Sequence, residues 1–274
     1  MKKTVACGFL CGLGFLMFYE AVTAHTPSPC FDPRSYCCPQ GNQLYFKLET
    51  GCSHSRYTDI NVDPRIWDAA IQGYGNDLGC SEFYGAAIGY QINPLLGADF
   101  SVIRRPSFEY QKFQTPPSAD TPNFLGTKTR YFDFQDTSIM FNLTLYAAGL
   151  SDCLTLHVGR SAFIQPFIGA GLGIAYNTVE NFHSVLGDDP NAFLAPVSSI
   201  MLEETKSAFA WQLNAGLELV SGQNWHAGVG YRYFDGGRFN SNDFVINEIL
   251  SQKVSPWQGD FRSNEGFVFL KYAI

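Results

Sequence analysis

Eight stretches of this chain alternate between apolar and polar or small residues at every step, and that period of two constrains the fold more than any other feature. In QLYFKLET, Leu44, Phe46 and Leu48 share one face while Tyr45, Lys47 and Glu49 share the other. Successive side chains of an extended chain point to opposite sides, so this is a strand with one apolar face. The pattern returns around Tyr84–Tyr90, Leu96–Val102, Ile139–Leu145 and Ile164–Tyr176. It returns again in Phe209–Leu219, Trp225–Tyr233 and Val268–Ile274. Most of these stretches reach the roughly 9–11 residues that a tilted strand needs to cross a bilayer.

The connections alternate as well. QINPL and VSGQN are short links, and a medium one runs from about Ala147 to Ser161. Long polar links run approximately from Cys52 to Cys80, Pro106 to Lys128, Asn177 to Thr205 and Gly236 to Asp260. A soluble β-sandwich also alternates, but nothing in it requires a strict short–long order. A transmembrane barrel does, with turns on one side and loops on the other. In lipid every backbone N–H and C=O must be paired, which a closed sheet alone achieves for strands. The expectation is an all-β, eight-stranded antiparallel up-and-down transmembrane β-barrel with short periplasmic turns and four long extracellular loops. The apolar rows then face lipid. Eight strands enclose little more than their own side chains, so the interior is expected to be plugged rather than open.

The amino terminus is consistent with export. Met1-Lys2-Lys3, an apolar run from Val5 to Tyr19 and an ending Val22-Thr23-Ala24 describe a signal peptide over residues 1–24; the run is too short to favour a membrane anchor. Residues 25–41 form a Cys- and Pro-rich periplasmic tail, and 42–274 form the barrel. The net charge of −7 argues against nucleic acid as a partner. Outside the leader, Cys30, Cys37, Cys38, Cys52, Cys80 and Cys153 contain no CxxC pair, so no metal or redox motif is expected. Cys52 and Cys80 fall at the outer ends of the first two strands and are expected to form a disulfide closing the first long loop. Pairing among Cys30, Cys37, Cys38 and Cys153, or between subunits, stays open.

Face assignment also locates the charges. Lys47, Glu49, Asp99, Arg105, Glu218, Arg232 and Lys271 fall on the inward side. Ions in a narrow, partly dry lumen must pair, so a salt-bridge network across the barrel is expected, with Glu218 paired to Arg232 or a lysine. The competing reading leaves several of them above the bilayer, in water. GAGLG, with Gly169, Gly171 and Gly173, fails as a dinucleotide loop: Ile174 occupies the place of the last required glycine, and alternation continues straight through. These glycines are expected to form one lumen-facing row that leaves room for larger inward groups from other strands.

Other chemistry is weaker. Asp59, Asn61 and Asp63 begin a calcium-loop spacing, but Pro64 replaces its glycine and Ala70 its glutamate; Asp63-Pro64 fits the start of a short helix better. Catalysis needs a base beside a nucleophile or water. His54, His157, His183 and His226 are the available imidazoles of the barrel region: His54 and His183 fall in expected loops, and His226 faces the lumen. No catalytic residue, metal or cofactor is expected.

PFIGAGLGIAY, followed by AWQLNAGLEL and AGVGYRYFD, resembles the opacity-type surface antigens and the OmpA membrane domain. The likeness covers roughly Gly41 to Ile274, with its clear motifs in the last four strands. It implies an eight-stranded outer-membrane barrel that acts through surface loops in adhesion, surface antigenicity or envelope integrity. Outer-membrane lipid, a host, matrix or cell-surface ligand, and the barrel-assembly machinery are the partners it implies. Val268, Leu270 and Tyr272 keep the alternating apolar pattern of a C-terminal assembly strand. The alternative is a small pore or transporter of small or apolar molecules, and behind it a barrel enzyme acting on lipid or peptide.

Overall fold

The computed structural model describes residues 42–55, 78–114, 128–158, 162–186, 197–222, 224–246 and 251–274. The expected leader and tail, the calcium-like segment of Asp59 to Ala70, and Cys30, Cys37 and Cys38 lie outside them. Twelve strands follow in chain order: β1 Gln43–Ser55, β2 Gly79–Gln91, β3 Leu96–Gln114, β4 Lys128–Tyr146, β5 Leu156–His157 and β6 Ala162–Leu186. Then come β7 Val197–Met201, β8 Glu204–Ser221, β9 Trp225–Asn240, β10 Phe244–Ile246, β11 Ser251–Lys253 and β12 Gln258–Ala273.

Eight of them close into an antiparallel ring, β1-β2-β3-β4-β6-β8-β9-β12 and back to β1. Closure is direct, with Tyr45 opposite Ala273 and Ser55 opposite Ser263. The outward rows are those the alternation marked: on β6, Ile168, Leu172 and Ile174 stand 59%, 60% and 48% exposed. They turn apolar side chains toward lipid, as hydrocarbon around a strand requires. The tight β2–β3 link is held by the Asn93 side chain, whose Oδ1 accepts from Leu95 N and Leu96 N, both at 2.8 Å. Gly222 takes φ 66° in the β8–β9 turn, a backbone state that a side chain disfavours. The medium link contains two single-turn 3-10 segments and β5.

The strands run farther than alternation of apolar-out residues foretells. β6 has 25 residues, where crossing a bilayer takes roughly 9–11. Beyond the apolar band the polarity of the wall inverts. On β4, Asp133 and Gln135 face out while Phe132 and Phe134 are buried inside. Water outside and a core inside demand that exchange. Bulges add a change of phase: β3 slips against β4 between Arg105 and Phe108, around Pro106, which has no N–H to donate. Slips near Asn181 (φ 55°) and Gly237 (φ 69°) accompany the upper parts of β6 and β9. Much of what reads as loop in the sequence is therefore wall. Outside the ring, β7 pairs with the end of β6, β10 with β7, and β11 with β10, carrying the sheet sideways above the apolar band.

Candidate functional site

The interior is built in layers. Lowest, Glu218 pairs with Lys271 and accepts from Gln165 Nε2 at 2.9 Å, while His226 Nδ1 lies 2.8 Å from its other oxygen. Lys271 Nζ also sits 4.8 Å above the Tyr146 ring. One layer up, Asp99 accepts from Lys47 Nζ at 3.2 Å, Tyr45 OH at 3.1 Å and Asn142 Nδ2 at 2.7 Å. Higher still, Arg232 donates to Glu49 at 2.5 Å and to Glu265 at 3.2 Å. Arg105 donates to Glu265 at 2.5 Å, to Ser138 at 3.0 Å and to Asp136, with its guanidinium 3.8 Å over the Phe234 ring. All seven lumen charges read from the sequence thus lie in one interior, and Glu218 is paired with a lysine rather than with Arg232.

The glycine row shares that interior. A Cβ at Gly169 would meet Asn214, one at Gly171 would meet Asn142, and one at Gly173 would meet the backbone carbonyl of Ile139. Their small size is what admits the polar side chains of β4 and β8. The space left among Lys47, Asp99, Asn142, Tyr146 and Lys271 is a cavity of about 30 Å³. That suits water and falls far below the roughly 300–1,000 Å³ of a small-molecule site. Above the ion pairs lies an aromatic core: Phe134 meets Phe261 at 4.7 Å and Phe239 at 4.8 Å, and Trp257 meets Phe182 at 5.4 Å. The lumen is closed by charge below and by rings above.

Sequence reasoning missed Asp136 and Glu265, two of the five buried carboxylates of the network. Both obey the alternation: Asp136 is in phase with Asn142 on β4, and Glu265 with Lys271 on β12. Extending each inward row past its last apolar outward neighbour would have found them.

The disulfide expectation is corrected. Cys52 and Cys80 are not bonded to each other. The register sets Cys52 opposite Glu82 and Cys80 opposite His54, so the two cysteines are diagonal neighbours on the outward face. Diagonal positions lie roughly 7–8 Å apart, beyond the usual disulfide span. Cys80 Sγ lies instead 2.9 Å from His54 Nδ1. His183, the other histidine expected in a loop, stacks on Tyr131 at 5.0 Å and has Nδ1 2.6 Å from the Asn181 carbonyl. His157 lies on β5, at the opposite end of the barrel, 6.2 Å from the Phe163 ring.

That stack belongs to an outward row above the apolar band. Tyr131 is opposite His183, His183 opposite Ile200, and Ile200 opposite Ile246, across β4, β6, β7 and β10. Ile200 is 40% exposed, and beside the row Leu202 is 57% and Phe244 44% exposed.

Residues 39–250 match the family described as the outer membrane protein beta-barrel domain. No curated protein matches the chain. Among solved structures the chain is similar to Neisserial surface protein A, with 16% identity, 84% of this chain and 96% of that one covered, and a TM-score of 0.39. It is similar to outer membrane protein OprG from Pseudomonas aeruginosa at 13% identity, with 85% and 98% covered and a TM-score of 0.41. It is also similar to the outer membrane protease OmpT from Escherichia coli at 8% identity, with 86% and 97% covered and a TM-score of 0.38. At these scores the three likenesses carry no argument about activity.

Proposed function

The chain belongs to the outer membrane protein beta-barrel domain family and lies in the bacterial outer membrane, and from that premise we propose that it is a non-enzymatic surface protein whose extracellular sheet and loops bind an external partner on a host, a matrix or another cell. One observation carries the reading. Among the described residues the pocket between the lumen charges is only about 30 Å³, while the wall continues past the apolar band and carries the outward row Tyr131, His183, Ile200 and Ile246, in which Ile200 is exposed and the other three are half-buried. A rigid strand-borne surface with exposed apolar groups suits recognition better than transport.

The test uses cells displaying the full chain, with attachment to host-cell monolayers and matrix-coated surfaces scored for wild type and for I200D/I246D. The reading expects attachment above that of cells lacking the protein, and its loss in the double variant at equal surface expression. Wild-type attachment no greater than background would sink it.

One observation favours a transport role as the second reading. Pairing of β2 with β3 ends at Tyr84 opposite Arg104, although both strands continue, so the wall has a seam above that point among the described residues. Uptake of a small apolar dye into vesicles holding the folded protein, beyond that of protein-free vesicles, would favour this reading over the first.

A further inference from the structure

The link between β4 and β6 lines the lower rim of the barrel with leucine. Ala147–Gly149 and Asp152–Leu154 each form one 3-10 turn, and β5 follows. Leu150, Leu154 and Leu156 are 69%, 50% and 61% exposed. Single exposed leucines are ordinary, but a contiguous group of them marks a surface that something covers. The backbone that carries these three is fixed. Leu150 N donates to Ala147 O at 3.0 Å, Leu154 N to Ser151 O at 3.0 Å, and Val158 N to Ala162 O at 2.8 Å. Ser151 Oγ accepts from Cys153 N at 3.3 Å. Gly149 packs so closely on the β2–β3 turn that a Cβ there would collide with the Leu95 backbone. From Ala147 to His157 the sequence carries one formal charge, Asp152.

What the leucines face follows from the wall above them. β4 ends beside β6 with Tyr146 opposite Phe167, and β5 takes its place, with Leu156 opposite Ile164 and His157 opposite Phe163. Directly opposite residues share a face of the sheet. Phe163 and Gln165 are buried in the lumen, so Ile164 between them, and Leu156 with it, turn to the lipid side. Leu156 thereby prolongs the outward apolar surface of Leu143, Leu145 and Ile168. At the same end of the barrel Trp225 and Tyr272 meet at 4.8 Å, and both are exposed. Such rings sit where hydrocarbon gives way to headgroups.

We propose that Leu150, Leu154 and Leu156 seat in the periplasmic leaflet of the outer membrane, at the boundary between acyl chains and phospholipid headgroups. The link is then an interfacial anchor on one side of the barrel rather than a turn hanging in the periplasm. Continuity selects this occupant over a second copy or a soluble protein, because the patch is unbroken with the lipid-facing wall. Weakly charged segments with one apolar side lie in this way roughly 5–10 Å into the headgroup boundary. The inference does not depend on whether the extracellular row binds a partner.

Cys153, exposed and free between Leu150 and Leu154, places a probe within the patch. The experiment uses the full chain carrying C7S, C11S, C30S, C37S, C38S, C52S and C80S, so that Cys153 is the remaining thiol of the eight. It is labelled with an environment-sensitive fluorophore and folded, one chain per disc, into phosphatidylcholine nanodiscs, whose two faces are both open to solvent. Folding is checked by heat-modifiable gel mobility. The expected result is strong quenching by a nitroxide near the headgroup end of the acyl chain and weak quenching by iodide. L150S/L154S/L156S should reverse that order, with iodide quenching several-fold stronger; L154S alone should move it the same way. Each variant is read only where gel mobility shows a folded barrel. Iodide quenching of the folded parent as strong as that of the denatured chain overturns the proposal. Protection that persists in the folded triple variant overturns it, since the label rather than the leucines would then be entering lipid. Protection that appears only in discs holding two chains also overturns it, in favour of a contact between copies.

Discussion

Replacing Arg105 by leucine removes a fully buried cation of the lumen network. The side chain donates to Glu265, Asp136 and Ser138 and stacks on Phe234. Without it Glu265 keeps Arg232 at 3.2 Å, but Asp136 loses its ion partner while its Oδ2 already accepts no hydrogen bond. Removing one member of a buried ion pair typically costs about 3–5 kcal/mol, because a charge is left without compensation. R105L should therefore shift the denaturant midpoint of the vesicle-folded protein, followed by tryptophan fluorescence, by an amount worth about 3–5 kcal/mol. Neutralising the orphaned partners in R105L/D136N/E265Q should recover much of that loss, since neutral replacement of a whole buried ion cluster is often tolerated. The reasoning is refuted if R105L costs less than the roughly 1 kcal/mol of an exposed pair. It is refuted equally if the triple variant is no more stable than the single one.

Three further outcomes are expected. G173V drives a side chain against the Ile139 carbonyl and should destabilise the barrel by about 1–3 kcal/mol, whereas G266A, with open space around the added carbon, should stay within about 0.5 kcal/mol; unfolding midpoints compare them. L172R places a charge in the middle of a lipid-facing row and should cost about 2–4 kcal/mol, read as a lower folded fraction on heat-modifiable gels. W257A empties the centre of the upper aromatic core, a loss of about 3–5 kcal/mol. Its effect should be local: protease added to vesicles should trim the outer segments faster while the apolar band stays protected.

How much of this is legible in the sequence follows from what surrounds each strand. Lipid forces an unbroken apolar row on one face, so Ile168 to Tyr176 or Val268 to Tyr272 announce both the strand and its inner side. Lys47, Asp99 and Glu218 follow directly from that assignment. Above the band the solvent changes and the rule reverses, so Phe132 and Phe134 point in where Phe141 points out. A reader following apolar-out alternation loses the strand there, and with it Asp136, Glu265 and the row at Ile200. Bulges deepen the loss, since Pro106 and Gly237 each mark a place where the inward phase changes. The Cys52–Cys80 expectation failed for a different reason. Strand ends are visible in sequence, but register is set by pairing along the whole strand, and it offsets the two cysteines by two residues.

The central claim is a filled barrel whose wall continues above the bilayer with its polarity reversed. β4 crosses both regimes without changing phase, so it tests the claim most directly. Single cysteines would be placed along it in a chain whose native cysteines are replaced by serine, and labelled in vesicles with water-soluble and lipid-soluble thiol reagents. Positions 131, 133 and 135 should react with the water-soluble reagent, and 139, 141, 143 and 145 with the lipid-soluble one. Positions 132, 134, 138 and 140 should resist both. Water-soluble labelling at those four positions, or loss of alternation above Thr137, would contradict the account.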